Sequence, residues 1–351
     1  MSASFADHPL LGGLLGDDVL ATHFEIGAEI DAMLRFETTL AEVEERFGIV
    51  PSGTGEALRR AARSFKPDLD ALRDATRRDG LCVPEFIRQL RAATGEVHGA
   101  DIHFGATSQD VIDTALVLRL KPVFGEFEHR LERLIAALDG LESRFGDRTL
   151  MGQTRMQRAL PIRCSDRIGA WRRPIQSLLD GLPALRTRVL RLQFGGPVGT
   201  LQQLEDKGSE ISAAFAAALE LVDGGCWHTD RAPLAELAGW LSRTSGALGK
   251  MGQDIALMAQ NEAGTVRLAG GGGSSAMPHK QNPVAAETLV TIARFNATLI
   301  AGMHQALVHE NERSGSAWTL EWMVLPQMTV ATGAALRTAW ELAGSIEEMG
   351  E

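Results

Sequence analysis

Apolar residues along this chain recur mainly at steps of three and four. Ile30, Met33, Phe36, Leu40, Val43 and Phe47 form one such series, and that spacing gathers side chains on one face of an α-helix. Phe124, Phe127, Leu131, Leu134, Leu138 and Leu141 form another, continuing a segment that opens near Ser108. Together they predict one helix of about 35 residues, kinked at the internal Pro122. Long helices are also expected near 163–190, 232–264, 283–312 and 327–348. Alternating, strand-like runs are scarce. Helices this long with few turn signals predict an all-α bundle. The first hundred residues differ, with shorter helices interrupted by "VPSGTG" and "FKPD". They predict a smaller N-terminal helical domain over 1–103, followed by the long-helix bundle over 104–351. The last stripe runs out almost at Glu351, so no third domain is expected.

Composition narrows the class. The chain has 351 residues, 44% hydrophobic and 23% charged, as in an ordinary globular protein. No apolar run of about 18 residues suggests a membrane span. The N-terminus has no basic start and carries acids early, which argues against a secretory signal. A cytoplasmic location is expected. A net charge of −10 argues against general nucleic-acid binding, which needs a basic face, yet leaves room for a locally cationic site. Cys82, Cys164 and Cys226 are far apart with no CxxC pair, and read as reduced, buried, apolar side chains.

Four segments carry candidate chemistry. In "HFGATSQDVIDT", His103 to Thr114, Thr107 and Asp110 have capping-box spacing and Ser108 adds a hydroxyl. A helix start of this kind attracts carboxylates, though the same residues also read as a plain capped helix. "GQTRMQRALP", Gly152 to Pro161, supplies a Thr, two Gln and two Arg. Arg155 and Arg158 would share a face if the segment were helical; otherwise it is a solvated turn. "LQFGGPVGTL", Leu192 to Leu201, links two helices through close-packed glycines and is no dinucleotide fingerprint. In "GGGGSSAMPHKQNPVAAE", Gly270 to Glu287, Asn282 and Pro283 read as the cap and first position of a helix. Mobile glycines precede Ser274, Ser275 and Lys280. A serine becomes a useful base only where its oxyanion is stabilised by backbone N–H groups, a lysine or a helix start, and a closing loop would strengthen all three. His304 and His309 do not form HExxH, and there is no GxSxG. His228, in "CWHTDR", suits a pocket or a structural role equally.

These residues resemble the fumarase/aspartase superfamily. Gly273, Ser274, Ser275, Met277, Pro278, Lys280, Asn282 and Glu287 satisfy its loop signature, and "GATSQDVIDT" and "GQTRMQRALP" are similar to its first two motifs. Within it the chain looks most like the cycloisomerases, through "LQFGGPVGTL", "CWHTDR", "LGKMGQDIALMAQ" and "ERSGSAWTLEWMVLP". There are departures. Arg155 stands where the lyases carry a His, and Arg158 where many cycloisomerases do. Asp230-Arg231-Ala232 replaces the usual Gln-Arg-Asp, and many members continue into a C-terminal domain.

The resemblance implies an all-α homotetramer whose active sites are shared between subunits, acting on a small tricarboxylate without metal or organic cofactor. The implied reaction is closure of a carboxylated muconate to its lactone, in aromatic-acid breakdown. Ser274 would exchange the α-proton, helped by Lys280 and Asn282. His103, Thr107, Ser108, Thr154, Arg155 and Arg313 would hold carboxylates, with Gln157, Ser275 and Met277 also against the substrate. An adenylosuccinate-type lyase and a catalytically silent structural protein are the alternatives.

Overall fold

The architecture follows from five long helices that lie alongside one another because each carries an apolar stripe longer than any single neighbour covers. The computed structural model describes residues 4–273, 277 and 280–351. Two short helices, α1 (Gly12–Leu15) and α2 (Asp18–Ala21), lead into α3 (Ile26–Arg46). α4 (Thr54–Ser64), α5 (Leu69–Asp79) and α6 (Val83–Thr94) follow. The long helices are α7 (Ser108–Phe145), α8 (Cys164–Val189), α10 (Ala232–Met258), α11 (Val284–Gln305) and α12 (Gly315–Gly344), with α9 (Gly208–Leu219) between α8 and α10. The stripes point where the periodicity requires: Ile30, Met33, Phe36, Leu40 and Val43 are buried, as are Phe124, Phe127, Leu131, Leu134, Leu138 and Leu141. α7 runs through Pro122 as one helix of 38 residues, about 57 Å at 1.5 Å per residue.

The helices alternate in direction. Arg231 at the start of α10 reaches Asp113 near the start of α7 and Glu321 near the start of α12, so these three begin at one end of the bundle. At the other end, Arg144 of α7 donates to Ile346 O just past α12, and Thr265 N donates to Met258 O at the close of α10. α8 and α11 run the opposite way. α10 and α11 lie unusually close. A Cβ on Gly252 would stand 2.5 Å from Ala286 O, and one on Gly249 2.5 Å from Ala293 Cβ. Buried Asn296 ties three helices together, donating to Ser245 Oγ at 3.2 Å and Thr332 Oγ1 at 2.9 Å.

Several expectations need correction. The stripe near 232–264 ends at Met258, and the chain turns into strand β3 (Val266–Leu268), which pairs antiparallel with β4 (Ile346–Met349). The helix expected over 283–312 stops at Gln305, and the one expected from 327 begins at Gly315 because Ser314 accepts from Ala317 N at 3.2 Å. "GQTRMQRALP" is neither helix nor open turn. It belongs to a hairpin of β1 (Thr149–Thr154) and β2 (Gln157–Arg163). Arg155 and Met156 form its two-residue loop with φ of 49° and 66°, the left-handed pair that a tight hairpin needs. Asn282 does not cap α11. Its N–H and C=O pair with Gly272, and the helix starts at Val284.

α11 is, by length and composition alone, apolar enough to cross a membrane, contrary to the reading of the bare sequence. It packs instead against α10 and α12 and carries Glu287 and Arg294. Only 28% of its most apolar window is buried within this chain, so much of its surface is left uncovered.

Candidate active site

The residues singled out by sequence fall into two groups at opposite ends of the bundle. The first surrounds the start of α7. Thr107 caps the helix in a reciprocal capping box, with Asp110 accepting from Thr107 N at 3.0 Å. The buried Asp110 carboxylate does more. It accepts from Gly195 N at 3.0 Å, Gly196 N at 2.8 Å, Gln193 Nε2 at 3.1 Å and His228 Nε2 at 2.9 Å. This fastens the glycine-rich 192–201 connection against the helix start. The approach requires glycine, since a Cβ on Gly196 would meet Gly105 O at 2.8 Å and the residue has φ of +70°.

Arg313 lies across this helix start. It donates to Gln109 Oε1 at 3.0 Å, Thr107 Oγ1 at 3.2 Å and Pro197 O at 3.2 Å. All three acceptors are neutral, so the guanidinium charge is not cancelled. Ser108 is the half-buried first residue of the helix. His103 holds a left-handed backbone, φ 64°, and its Nδ1 is 2.7 Å from Oε1 of buried Glu37. Burial opposes a charge on this imidazole, but the Glu37 carboxylate more than offsets it, and His103 titrates above its ordinary value. A cation, a histidine inclined to charge and free helix N–H groups converge here, an arrangement suited to carboxylates.

The second group occupies the other end. Thr154, Arg155 and Gln157 sit exposed at the hairpin tip. Asn282 pairs with Gly272 through two backbone bonds, at 2.9 and 3.0 Å. Lys280 is exposed, and its N–H donates to Met277 O at 3.0 Å. Ser274 and Ser275 lie outside the described residues. The length of α7 separates the two groups within one chain. One small tricarboxylate cannot touch both.

Sequence reasoning missed the buried charge network beside the first group. Arg231 is 2% exposed and grips Asp113 at 2.6 and 3.1 Å, and Glu321 at 2.9 Å through Nε. Its guanidinium stacks on Trp227, and Trp318 Nε1 donates to Asp113 at 2.9 Å. Burial pushes the Glu321 carboxyl up, against the pull of Arg231. The available signal was a charged residue at an apolar position of a helical stripe. His228, which by sequence suits a pocket or a structural role, is buried against Asp110.

Comparison with known proteins places these features in context. A family model described as lyase matches residues 73–295. The 3-carboxy-cis,cis-muconate cycloisomerase of Acinetobacter baylyi is 34% identical over 93% of this chain and 75% of its own. The enzyme of the same name from Pseudomonas aeruginosa is 36% identical over 92% of this chain and 72% of its own. The crystal structure of 3-carboxy-cis,cis-muconate lactonizing enzyme from Pseudomonas putida superposes with a TM-score of 0.90 at 32% identity, covering 97% of this chain and 77% of that one. The chain therefore spans about three quarters of the length of these relatives.

Proposed function

The chain belongs to the lyase family of the fumarase/aspartase superfamily, and from that premise we propose that it is a cycloisomerase interconverting 3-carboxy-cis,cis-muconate and 4-carboxymuconolactone in aromatic-acid breakdown. The observation that carries this reading is the cradle at the start of α7, where, among the described residues, Arg313 is held by neutral oxygens only. The similarity to enzymes of that name supports it.

In the lactonising direction a substrate carboxylate oxygen adds to one alkene carbon, and the neighbouring carbon, α to another carboxylate, takes a proton. In reverse, a base removes that proton. The electron pair is held on the α-carboxylate, and the C–O bond breaks with its electrons to the departing carboxylate. That leaving group is stable as an anion, so no general acid is required. A permanent cation at Arg155, where amine-expelling lyases keep a His, fits this chemistry. Ser274 is the proposed proton carrier. Lys280 and Asn282 support its oxyanion, and His103, Thr107, Ser108, Thr154, Arg155 and Arg313 hold carboxylates, with Gln157, Ser275 and Met277 beside them.

The separation of the two groups supports a homotetramer in which each site draws its residues from several copies. The uncovered face of α11 and the exposed hairpin residues Met156 and Leu160, 72% and 73% exposed, give such copies apolar surface to bury.

An ultraviolet assay of the purified protein with the muconate, and separately with adenylosuccinate, tests the reading. Muconate turnover is expected. Fumarate release from adenylosuccinate alone, or no turnover of either, overturns it. Ser274→Ala is expected to lower turnover by roughly 10²-fold or more while the fold persists; near-normal turnover would move the base to Ser275.

A further inference from the structure

The three cysteines do not share one environment. Cys164 is buried and Cys82 half-buried, whereas Cys226, on the loop between α9 and α10, is exposed. Gln193 Nε2 donates to Cys226 Sγ at 3.4 Å. Two residues on, His228 is 3% exposed, with Nε2 held by Asp110 at 2.9 Å. Its Nδ1 is buried and has no hydrogen-bond partner among the described residues. Nδ1 and the Cys226 sulfur face the same point of the chain, since a Cβ on Gly199 would stand 3.9 Å from Nδ1 and 3.2 Å from Sγ. The two oxygens of Asp110 are fully occupied by N–H donors, so they hold the imidazole in place from behind.

We propose that Cys226 is a reactive thiolate and a modification site, at which a peroxide oxidises the sulfur to a sulfenic acid. Burial opposes a charged His228, but Asp110 and the neighbouring sulfur together push it up to about 9. An imidazolium therefore faces the sulfur at neutral pH. Burial also works against the thiolate, yet the nearby His228 and the Gln193 hydrogen bond pull Cys226 below the usual thiol value. Burial pushes Cys82 up to about 11 and also raises Cys164, so selectivity is built in. The other charges on this loop are Glu220, paired with Lys121, Asp223, Asp230, which lies 3.7 Å from Arg191, and Arg231, paired with Asp113 and Glu321.

In the reaction the thiolate sulfur attacks one oxygen of hydrogen peroxide. An S–O bond forms, and the O–O bond breaks with its electron pair to the departing oxygen, which leaves as hydroxide. Sulfur loses two electrons and the peroxide gains them. The added oxygen meets a crowded wall, since a carbon at Gly195 would stand 2.5 Å from Sγ and one at Gly199 3.2 Å. Oxidation therefore presses on the segment that Asp110 fastens to the start of α7.

The test is site-resolved alkylation of the intact native protein by iodoacetamide between pH 5 and 10, read by peptide mass spectrometry. At pH 7, Cys226 is expected to react about tenfold or more faster than Cys82 and Cys164, and to reach its plateau below the pH of an ordinary thiol. His228→Gln should return the plateau to the ordinary range. Should that variant fail to fold, the wild-type profile decides. A rate that climbs through about pH 8.5 like a free thiol, or no reaction of Cys226 in the native assembly, overturns the proposal. Sulfenic-acid trapping after hydrogen peroxide should label Cys226 alone and be absent in Cys226→Ser; equal labelling elsewhere also overturns it. Loss of muconate turnover on peroxide treatment, spared in Cys226→Ser, rests on the cycloisomerase reading. The alkylation profile does not, so the two fail separately.

Discussion

Arg155 is the residue at which this chain departs most clearly from the amine-releasing lyases it resembles. It sits in a two-residue hairpin loop, exposed, and makes no ion pair among the described residues. A charge-assisted contact to a substrate carboxylate contributes about 1.5–3 kcal/mol. Arg155→Met is therefore expected to lower kcat/KM for the muconate by roughly 10- to 150-fold. An unchanged kcat/KM would leave Arg155 as a surface residue. His103 offers a second residue-scale test. Its pKa is raised by Glu37, so its cation persists below that raised value and is lost as pH rises through it. Carboxylate binding that depends on this charge should fall as pH rises through the raised value. Glu37→Gln should move that fall to lower pH. An imidazole titration by NMR that does not shift in the variant would separate His103 from Glu37.

At the scale of one element, α3 carries a burden that its apolar stripe conceals. Glu44 is fully buried, and neither carboxylate oxygen has a hydrogen-bond partner among the described residues. Burial first, and then the charge of Glu37, raise its pKa to about 9. The folded chain thus keeps a proton that the unfolded chain releases near pH 4.5, its unshifted value. Between those values the folded state binds more protons, so stability declines as pH rises. Glu44→Gln should remove this slope. It should stabilise the protein by on the order of 2–3 kcal/mol at pH 7, with the gain vanishing near pH 4.5. Melting temperatures of both proteins across that range provide the measurement, and parallel curves would contradict the assignment. The N-terminus of α7 shows the opposite economy, because every oxygen of buried Asp110 is used.

The whole molecule raises the question of how two residue groups near opposite ends of α7, a helix about 57 Å long, serve one substrate. Shared sites make a specific prediction. Arg313→Ala damages one end and Arg155→Ala the other, and each variant alone should be nearly inactive. Unfolding and reassembling the two together should restore part of the activity, since some sites then draw both of their halves from undamaged copies. No recovery, or an active monomer by light scattering at assay concentration, would rule out sharing.

The helical stripes, the Thr107–Asp110 cap and the loop signature were legible in the chain because each is a local relation, spanning three or four residues or one short motif. The hairpin was not, because its turn contains Arg155 and Met156 in place of the usual Asn or Gly, and its pairing depends on the register of two strands. The start of α12 was hidden because the single cap at Ser314 sits ahead of the stripe. The partners of Asp110 and Arg231 were hidden for a different reason. His228 lies 118 positions from Asp110, and Glu321 lies 90 from Arg231. Whether a charged side chain is solvated or buried and paired depends on which distant segment folds against it. Only the tertiary structure decides that, and it also decides that the candidate site residues of one chain stand at opposite ends of its longest helix.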